Sequence, residues 1–311
     1  MKKVAISIGD LQGIGIQLAL ENHAHISKLV MPYYCIDKAM LQQASDKLNI
    51  PIPKDFRTFE NIAPYFDIQA GIVSKESGAY AYASFKKAVA LAQSQEVDAI
   101  CTLPIHKKAW ELADVSYKGH TDALRDFFHA DAIMMLGCEE MFVALYTEHI
   151  PLKDVAKAIN EKDLTRFLLD FYHTALPQKT VAVLGLNPHA GDDGVLGDEE
   201  KYIVQAIHNA NAILHKEKHF AHDPFTGVLV PDVAFTPHIR KQYTHFIAMY
   251  HDQGLAPLKA LYFDEGINIS LNLPILRTSV DHGTAFDIAY QGKKLHALSY
   301  MNALSYIQHS L

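Results

Sequence analysis

Cysteine is scarce in this chain. Cys35, Cys101 and Cys138 are widely separated and form no CxxC pair. An odd, sparse set excludes a disulfide framework and points to a reducing compartment, with Cys101 and Cys138 read as core residues from their apolar neighbours. Long apolar runs are missing too. No stretch approaches a membrane span, and the apolar residues behind the initial Met1-Lys2-Lys3 are cut off by Gly9-Asp10, too soon for a signal-peptide core. A cytoplasmic protein with no membrane partner is expected. Basic excess is absent as well: the formal net charge is −7, the pI is near 6.2, and no polybasic segment occurs. That excludes an electrostatic footprint for nucleic acid, while local Arg and Lys side chains can still meet a small anion.

The chain also lacks internal repeats, low-complexity tracts and a linker marked by composition. With 311 residues, of which 49% are hydrophobic, it can bury either two domains or one large α/β unit. Strand and helix patterns alternate through much of it. Strands are predicted at 4–8, 29–36, 99–102, 132–136, 142–146, 181–186, 226–229, 246–249 and 267–270. Helices are predicted at 15–23, 38–48, 77–94, 122–128, 152–159, 164–174, 198–215, 285–290 and 294–310. The stretch 51–69, with three prolines, reads as irregular. This order argues for an α/β fold with mostly parallel sheets and covering helices. An unmarked boundary suits a chain that crosses between domains more than once.

Histidine is in excess, with 18 residues. His23, His25, His173, His208, His215, His219 and His222 lie in polar helical stretches and read as solvated. Three others share a different context. Apolar runs starting at Phe142, Val181 and Phe246 end on His149, His189 and His251. Each run reads as a buried parallel strand. In open α/β sheets ligands sit outside the carboxyl ends of the strands, so three imidazoles at that edge could converge on one ion. Without a thiolate they suit Zn²⁺, Co²⁺, Mn²⁺ or Ni²⁺ and leave positions open for substrate.

Other stretches carry chemistry. Gly9 to Gly15 is a glycine turn before a helix, with a spacing that does not match the dinucleotide fingerprint. Lys118-Gly119-His120-Thr121-Asp122 precedes a helix that Thr121 can cap, leaving His120 to project from the loop. Asn187-Pro188-His189 runs into a Gly/Asp loop. Met249 to Lys259 offers His251, Asp252, Gln253 and Lys259 directly after a strand. Downstream stand Asn268, then Arg277-Thr278-Ser279, a cation beside hydroxyls that suits phosphate or carboxylate, with Lys259 as a second point charge. Asp281 to Ala289 reads as a polar loop entering a helix capped by Thr284. An open divalent site beside an anion clamp serves metal-assisted hydrolysis or polarisation of a hydroxyl or carbonyl, and spacing does not choose between them.

Five motifs occur in one register. They are Gly9-Asp10 with Gly13-Ile14-Gly15, Gly119-His120-Thr121, Leu186 to Gly191, Tyr250 to Gly254, and Arg277 to Thr284. Together they resemble the 4-hydroxythreonine-4-phosphate dehydrogenase family of pyridoxal-phosphate biosynthesis, over almost the whole chain. The resemblance implies a two-domain fold like the isocitrate and isopropylmalate dehydrogenases, with an interdomain cleft. The first domain is expected at 1–119 plus 276–311. The second, at 120–275, would carry most metal and substrate residues. It implies a homodimer with an active site shared between subunits.

The implied reaction is metal-dependent, NAD(P)-linked oxidation of 4-phosphooxy-L-threonine at its C3 hydroxyl, then decarboxylation to 3-amino-2-oxopropyl phosphate. The family's metal ligands fall on His149, His189 and His251, for Zn, Co, Mg or Mn. Its substrate contacts fall on His120, Thr121, Lys259, Asn268 and Arg277, with Lys259 also catalytic. Cofactor contacts are expected at Asp232, Asp252, His282, Gly283 and Thr284. Two other activities are compatible with these residues: a dehydrogenase of D-threonate or D-erythronate 4-phosphate, and a three-histidine metal-dependent hydrolase. The chain departs from the family pattern at Leu11, Gln12, Ile16 and Gln17 in the first loop. It has Asp122 where Glu is usual and His106 where Asn is usual.

Overall fold

The computed structural model describes residues 1–218 and 220–310, so His219 lies outside the described residues. The chain begins β1 (Lys3–Ser7), α1 (Gly15–Leu29), β2 (Met31–Asp37), α2 (Lys38–Leu48), β3 (Arg57–Phe59), α3 (Lys75–Gln93), β4 (Ala99–Thr102), α4 (Lys107–Leu112) and α5 (His120–Phe128). It continues β5 (Ile133–Cys138), β6 (Met141–Leu145), α6 (Leu152–Ala158), α7 (Glu161–Ala175), β7 (Val181–Leu184), α8 (Glu200–Glu217) and β8 (Phe225–Leu229). Last come α9 (Pro231–Ala234), α10 (Pro237–Arg240), β9 (His245–Ala248), α11 (His251–Tyr262), β10 (Ile267–Leu271), β11 (Leu276–Val280) and α12 (Leu298–Ser310). Among the described residues no helix is long and apolar enough to cross a membrane.

Two compact units emerge, one of residues 1–130 with the chain from 264 onward, the other of residues 131–263. In the first, the strands run β3-β2-β1-β4-β11-β10, all parallel except the β10–β11 pair. Every residue of β4 is buried, as a parallel strand covered on both faces requires. One face packs Ala5 and Ile100 against Phe85, Trp110 and Leu124 of α3, α4 and α5. The opposite face carries α12, where the Thr278 hydroxyl donates to the Ala303 carbonyl at 3.0 Å. Helix α3 is capped by Ser74, whose hydroxyl accepts from the Ser77 N–H at 3.1 Å.

The second unit orders its strands β5-β6-β9-β7-β8, parallel apart from β5–β6. Its core joins Val143, Leu184 and Phe246 to Leu255 and Leu258 of α11. Gly254 lets that helix lie flat: a Cβ there would stand 2.4 Å from Val143 Cγ1. All three cysteines are buried.

Several sequence expectations need correction. The polar stretch from His251 forms helix α11 despite Pro257 inside it, because tertiary packing of Leu255 and Leu258 outweighs the helix penalty. Residues 285–290 form turns, with Ala285 at φ 45° and Tyr290 at φ 59°, and Thr284 caps no helix. The last helix starts at Leu298 rather than 294. Thr121 does not cap α5, which begins at His120 behind Gly119. His23 is not solvated: it is 1% exposed, its Nδ1 3.0 Å from the Tyr34 hydroxyl and its Nε2 3.1 Å from Asp55 Oδ1. His215 is half-buried beside Asp223, whereas His25, His173, His208 and His222 are exposed.

Candidate active site

In the first unit, strand register decides which side chains share a face. Antiparallel pairing sets Ser270 opposite Arg277 and Asn268 opposite Ser279, and parallel pairing sets Thr102 beside both Ser279 and Ser7. Paired residues point to the same side, so all six project toward the α3–α5 face. Arg277 lies within a strand and is only 2% exposed. Its Nε and Nη2 donate to the Thr102 hydroxyl oxygen at 3.2 and 2.7 Å, and Nη1 donates to the Ser270 hydroxyl at 3.1 Å. Among the described residues no carboxylate pairs with it. Burial draws its pKa down to about 10. A buried cation held only by hydroxyls calls for an anion.

His120 opens α5 in an aromatic setting. Phe85 and Trp110 meet its ring edge to face, at centroid distances of 4.8 and 5.4 Å. Burial first, and the Arg277 charge second, hold its pKa well below the usual imidazole value. Its Nε2 is buried with no protein partner, and so are Asn268 Oδ1 and Ser7 Oγ. Buried polar atoms are ordinarily satisfied, so three orphans on the Arg277 side of one sheet mark a place for a polar ligand. Thr121, next to His120, is buried.

The first loop is built around Asp10. Gly9, at φ 69°, is obligatory, since a Cβ would sit 2.2 Å from the Pro104 carbonyl oxygen. The Asp10 carboxyl accepts from the Gln12 N–H at 3.0 Å and the Ser77 hydroxyl at 3.2 Å, and burial raises its pKa to about 6. The departures from the family pattern are structural. Gln12 binds the 69–74 segment through Gln69, Ile72 and Ser74, while Gln17 donates to the Lys293 carbonyl. Leu11 and Ile16 are fully buried. The Thr284 carbonyl accepts from the Ile14 N–H at 3.0 Å, so the His282-Gly283-Thr284 segment rests on the first loop. His282 has a buried, unpartnered Nε2, and Gly283 is open to solvent. His106 stacks on Phe286 with centroids 4.9 Å apart.

In the second unit, β6, β9 and β7 are adjacent and parallel, so they deliver His149, His251 and His189 to one carboxyl edge. The His149 and His251 rings lie 5.6 Å apart. His251 Nδ1 donates to Asp252 Oδ1 at 2.7 Å, which orients the ring and leaves Nε2 for an ion. His189 is exposed on a turn in which residues 189–193 all have positive φ, and the three imidazoles do not gather within 4.8 Å of one another. The donor chemistry fits a divalent cation, with the His149 and His251 rings as neighbours. Lys259 stands on α11 with Nζ 5.9 Å from the Phe263 ring centre, and Asp232 is exposed on α9.

Thr147 and Glu200, which carry no signal of their own in the motifs, and the motif residue Gln253 tie this edge together. The Thr147 hydroxyl donates to the Met249 carbonyl at 2.6 Å. Gln253 accepts from the Met249 N–H and donates to the Gly185 carbonyl, joining the ends of β9 and β7. Buried Glu200 accepts from the Leu186 and Asn187 N–H groups at 2.9 and 2.7 Å, fixing the approach to His189.

The family model described as pyridoxal phosphate biosynthetic protein PdxA matches residues 24–307. The chain belongs to this family. It is 59% identical over 302 residues to a 4-hydroxythreonine-4-phosphate dehydrogenase of Sulfurimonas denitrificans, covering 97% of this chain and 95% of the relative. A Campylobacter fetus protein of the same name is 50% identical, with 98% and 97% covered. The solved structure of a 4-hydroxythreonine-4-phosphate dehydrogenase from Klebsiella pneumoniae matches with a TM-score of 0.83 at 30% identity, covering 100% of this chain and 99% of that one. A terephthalate dihydrodiol dehydrogenase from Burkholderia xenovorans, at 20% identity and TM-score 0.68, shares the fold.

Proposed function

We propose that this chain is a 4-hydroxythreonine-4-phosphate dehydrogenase. It oxidises the C3 hydroxyl of 4-phosphooxy-L-threonine, passes the hydride to NAD⁺ or NADP⁺, and releases CO₂ to leave 3-amino-2-oxopropyl phosphate, in pyridoxine 5′-phosphate biosynthesis. The observation that carries this reading is the buried Arg277 cation, partnered only by hydroxyls, on the same sheet face as the orphaned His120 and Asn268 atoms. Membership of the family and the names of the relatives supply the reaction.

Arg277 binds an anionic group of the substrate, and Lys259 supplies a second point charge. His120, kept neutral, exchanges a hydrogen bond through Nε2, with Thr121 beside it. Asn268 offers its Oδ1 to a donor such as the substrate ammonium. His149, His189 and His251 hold a divalent ion (Zn, Co, Mg or Mn), and Asp252 orients His251. When bound, such an ion supplies Lewis acidity at a substrate oxygen. The His282–Thr284 segment contacts the nicotinamide cofactor, with Asp232 and Asp252 as further contacts.

The reading includes a cytoplasmic homodimer with a site built from both subunits. It also includes two domains, expected at 1–119 with 276–311 and at 120–275, beside compact units of residues 1–130 with the chain from 264 onward and of residues 131–263. The division into a discontinuous and a continuous compact unit supports two domains. The test is NADH formation from 4-phosphooxy-threonine after chelator treatment and metal add-back. Activity that returns with metal is expected. Absence of NADH with every metal and both cofactors would contradict the reading.

A further inference from the structure

We infer that Thr102 is the positioning residue of the anion site, the group that aims Arg277. This rests on the reading of Arg277 as the cation that meets the substrate. Thr102 ends β4 with 0% exposure, and its single oxygen accepts from both Nε and Nη2 of Arg277. Two N–H groups on one hydroxyl use both of its lone pairs. Ser270, opposite Arg277 on β10, takes a third N–H through Nη1. A guanidinium is a rigid planar fork of five donors. With three committed to neutral hydroxyls, its rotation is fixed and two donors remain for a ligand. A carboxylate at position 102 would hold the same fork and neutralise it. A hydroxyl orients the group and leaves its charge for the substrate.

The register supports the same assignment. Ser7, Thr102, Ser279 and Asn268 form a row across β1, β4, β11 and β10, and Arg277 reaches up into it from one layer below. Ser7 Oγ and Asn268 Oδ1 in this row are buried without partners, unlike Thr102, whose acceptor capacity is spent on the cation. In the layer beneath, Ala5 and Ile100 on β1 and β4 are apolar, and Arg277 and Ser270 on β11 and β10 are its polar members. Thr102 therefore acts on the substrate through Arg277.

The test is steady-state kinetics with 4-phosphooxy-threonine, NAD⁺ and a divalent metal, with melting temperature measured alongside. Thr102→Val keeps the volume and removes the acceptor; KM is expected to rise roughly tenfold or more, as for a lost hydrogen bond to a charged group, with kcat within about twofold. Thr102→Ser restores the hydroxyl and is expected to return KM to within about threefold of the parent. Combined with Arg277→Lys, which has no fork to hold, Thr102→Val adds less than about twofold. If Arg277→Lys raises KM while Thr102→Val leaves it unchanged, or if Thr102→Ser is as impaired as Thr102→Val, the positioning role is wrong and Arg277 keeps its own. If Arg277→Lys leaves KM unchanged, the anion reading fails and the positioning role with it. Should Thr102→Val not fold, Thr102→Cys, a poor acceptor of similar size, is measured on the same axes.

Discussion

The Phe85 ring meets the His120 imidazole edge to face, with centroids 4.8 Å apart and planes at 67°. That contact, with Trp110 on another side and the Arg277 charge nearby, makes protonation of His120 costly.

His120 is accordingly expected to remain neutral far below the ordinary imidazole value of 6.5. The unfolded chain takes up a proton there near that value and the folded one does not, so this residue's contribution makes the protein less stable as pH falls below it. An NMR titration of histidine ring nitrogens should show one resonance, absent in His120→Gln, that stays in its neutral position when exposed histidines have titrated. A His120 resonance that protonates with the exposed ones would refute the neutral assignment.

Asp10 titrates with the opposite sign. Burial raises its pKa from 3.8 to about 6, so the folded state holds a proton that the unfolded state has released in this window. The stability it contributes is present at low pH and is lost as pH rises through about 6. Asp10→Asn retains an acceptor for the Gln12 N–H and gains a donor for the Ser77 hydroxyl. The melting temperature of the variant relative to the parent is expected to climb between pH 4 and pH 7. A constant difference across that range would show that Asp10 is not a buried acid.

Much of this was legible in the sequence, for identifiable reasons. Parallel strands buried on both faces leave uninterrupted apolar runs, so β6, β7 and β9 and the histidines behind them could be read directly. Cys101 and Cys138 followed from the same logic. What escaped depends on contacts made far along the chain. Thr102 and Ser270 are ordinary strand residues until register sets them beside Arg277. Glu200 looks like a polar surface residue, yet it holds the backbone after β7, and Gln253, which the motif singled out, closes the carboxyl edge through contacts with Met249 and Gly185. His23 sits in a polar helix sequence but turns inward to Tyr34 and Phe56. Helix α11 was masked by Pro257, and the 285–290 segment forms turns rather than a helix, with Ala285 and Tyr290 at positive φ and Phe286 stacked on His106. Gln12, which departs from the family pattern, is explained by its three bonds to the 69–74 segment.

The proposed metal-binding edge makes a graded prediction. His251→Ala removes a proposed ligand and is expected to abolish stoichiometric metal binding while the fold persists, as read by metal analysis and circular dichroism. Asp252→Asn leaves the ligand but loosens its orientation, and should weaken affinity roughly tenfold to a hundredfold in a chelator competition. Full metal content in His251→Ala would exclude His251 as a ligand.

The most direct measurement is the product balance from 4-phosphooxy-threonine in the presence of nicotinamide cofactor and a divalent metal. A dehydrogenase that decarboxylates its keto product yields NADH (or NADPH) and CO₂ in equal amounts, with both falling together in Arg277→Lys. Reduced cofactor without CO₂, or turnover without cofactor reduction, would contradict it.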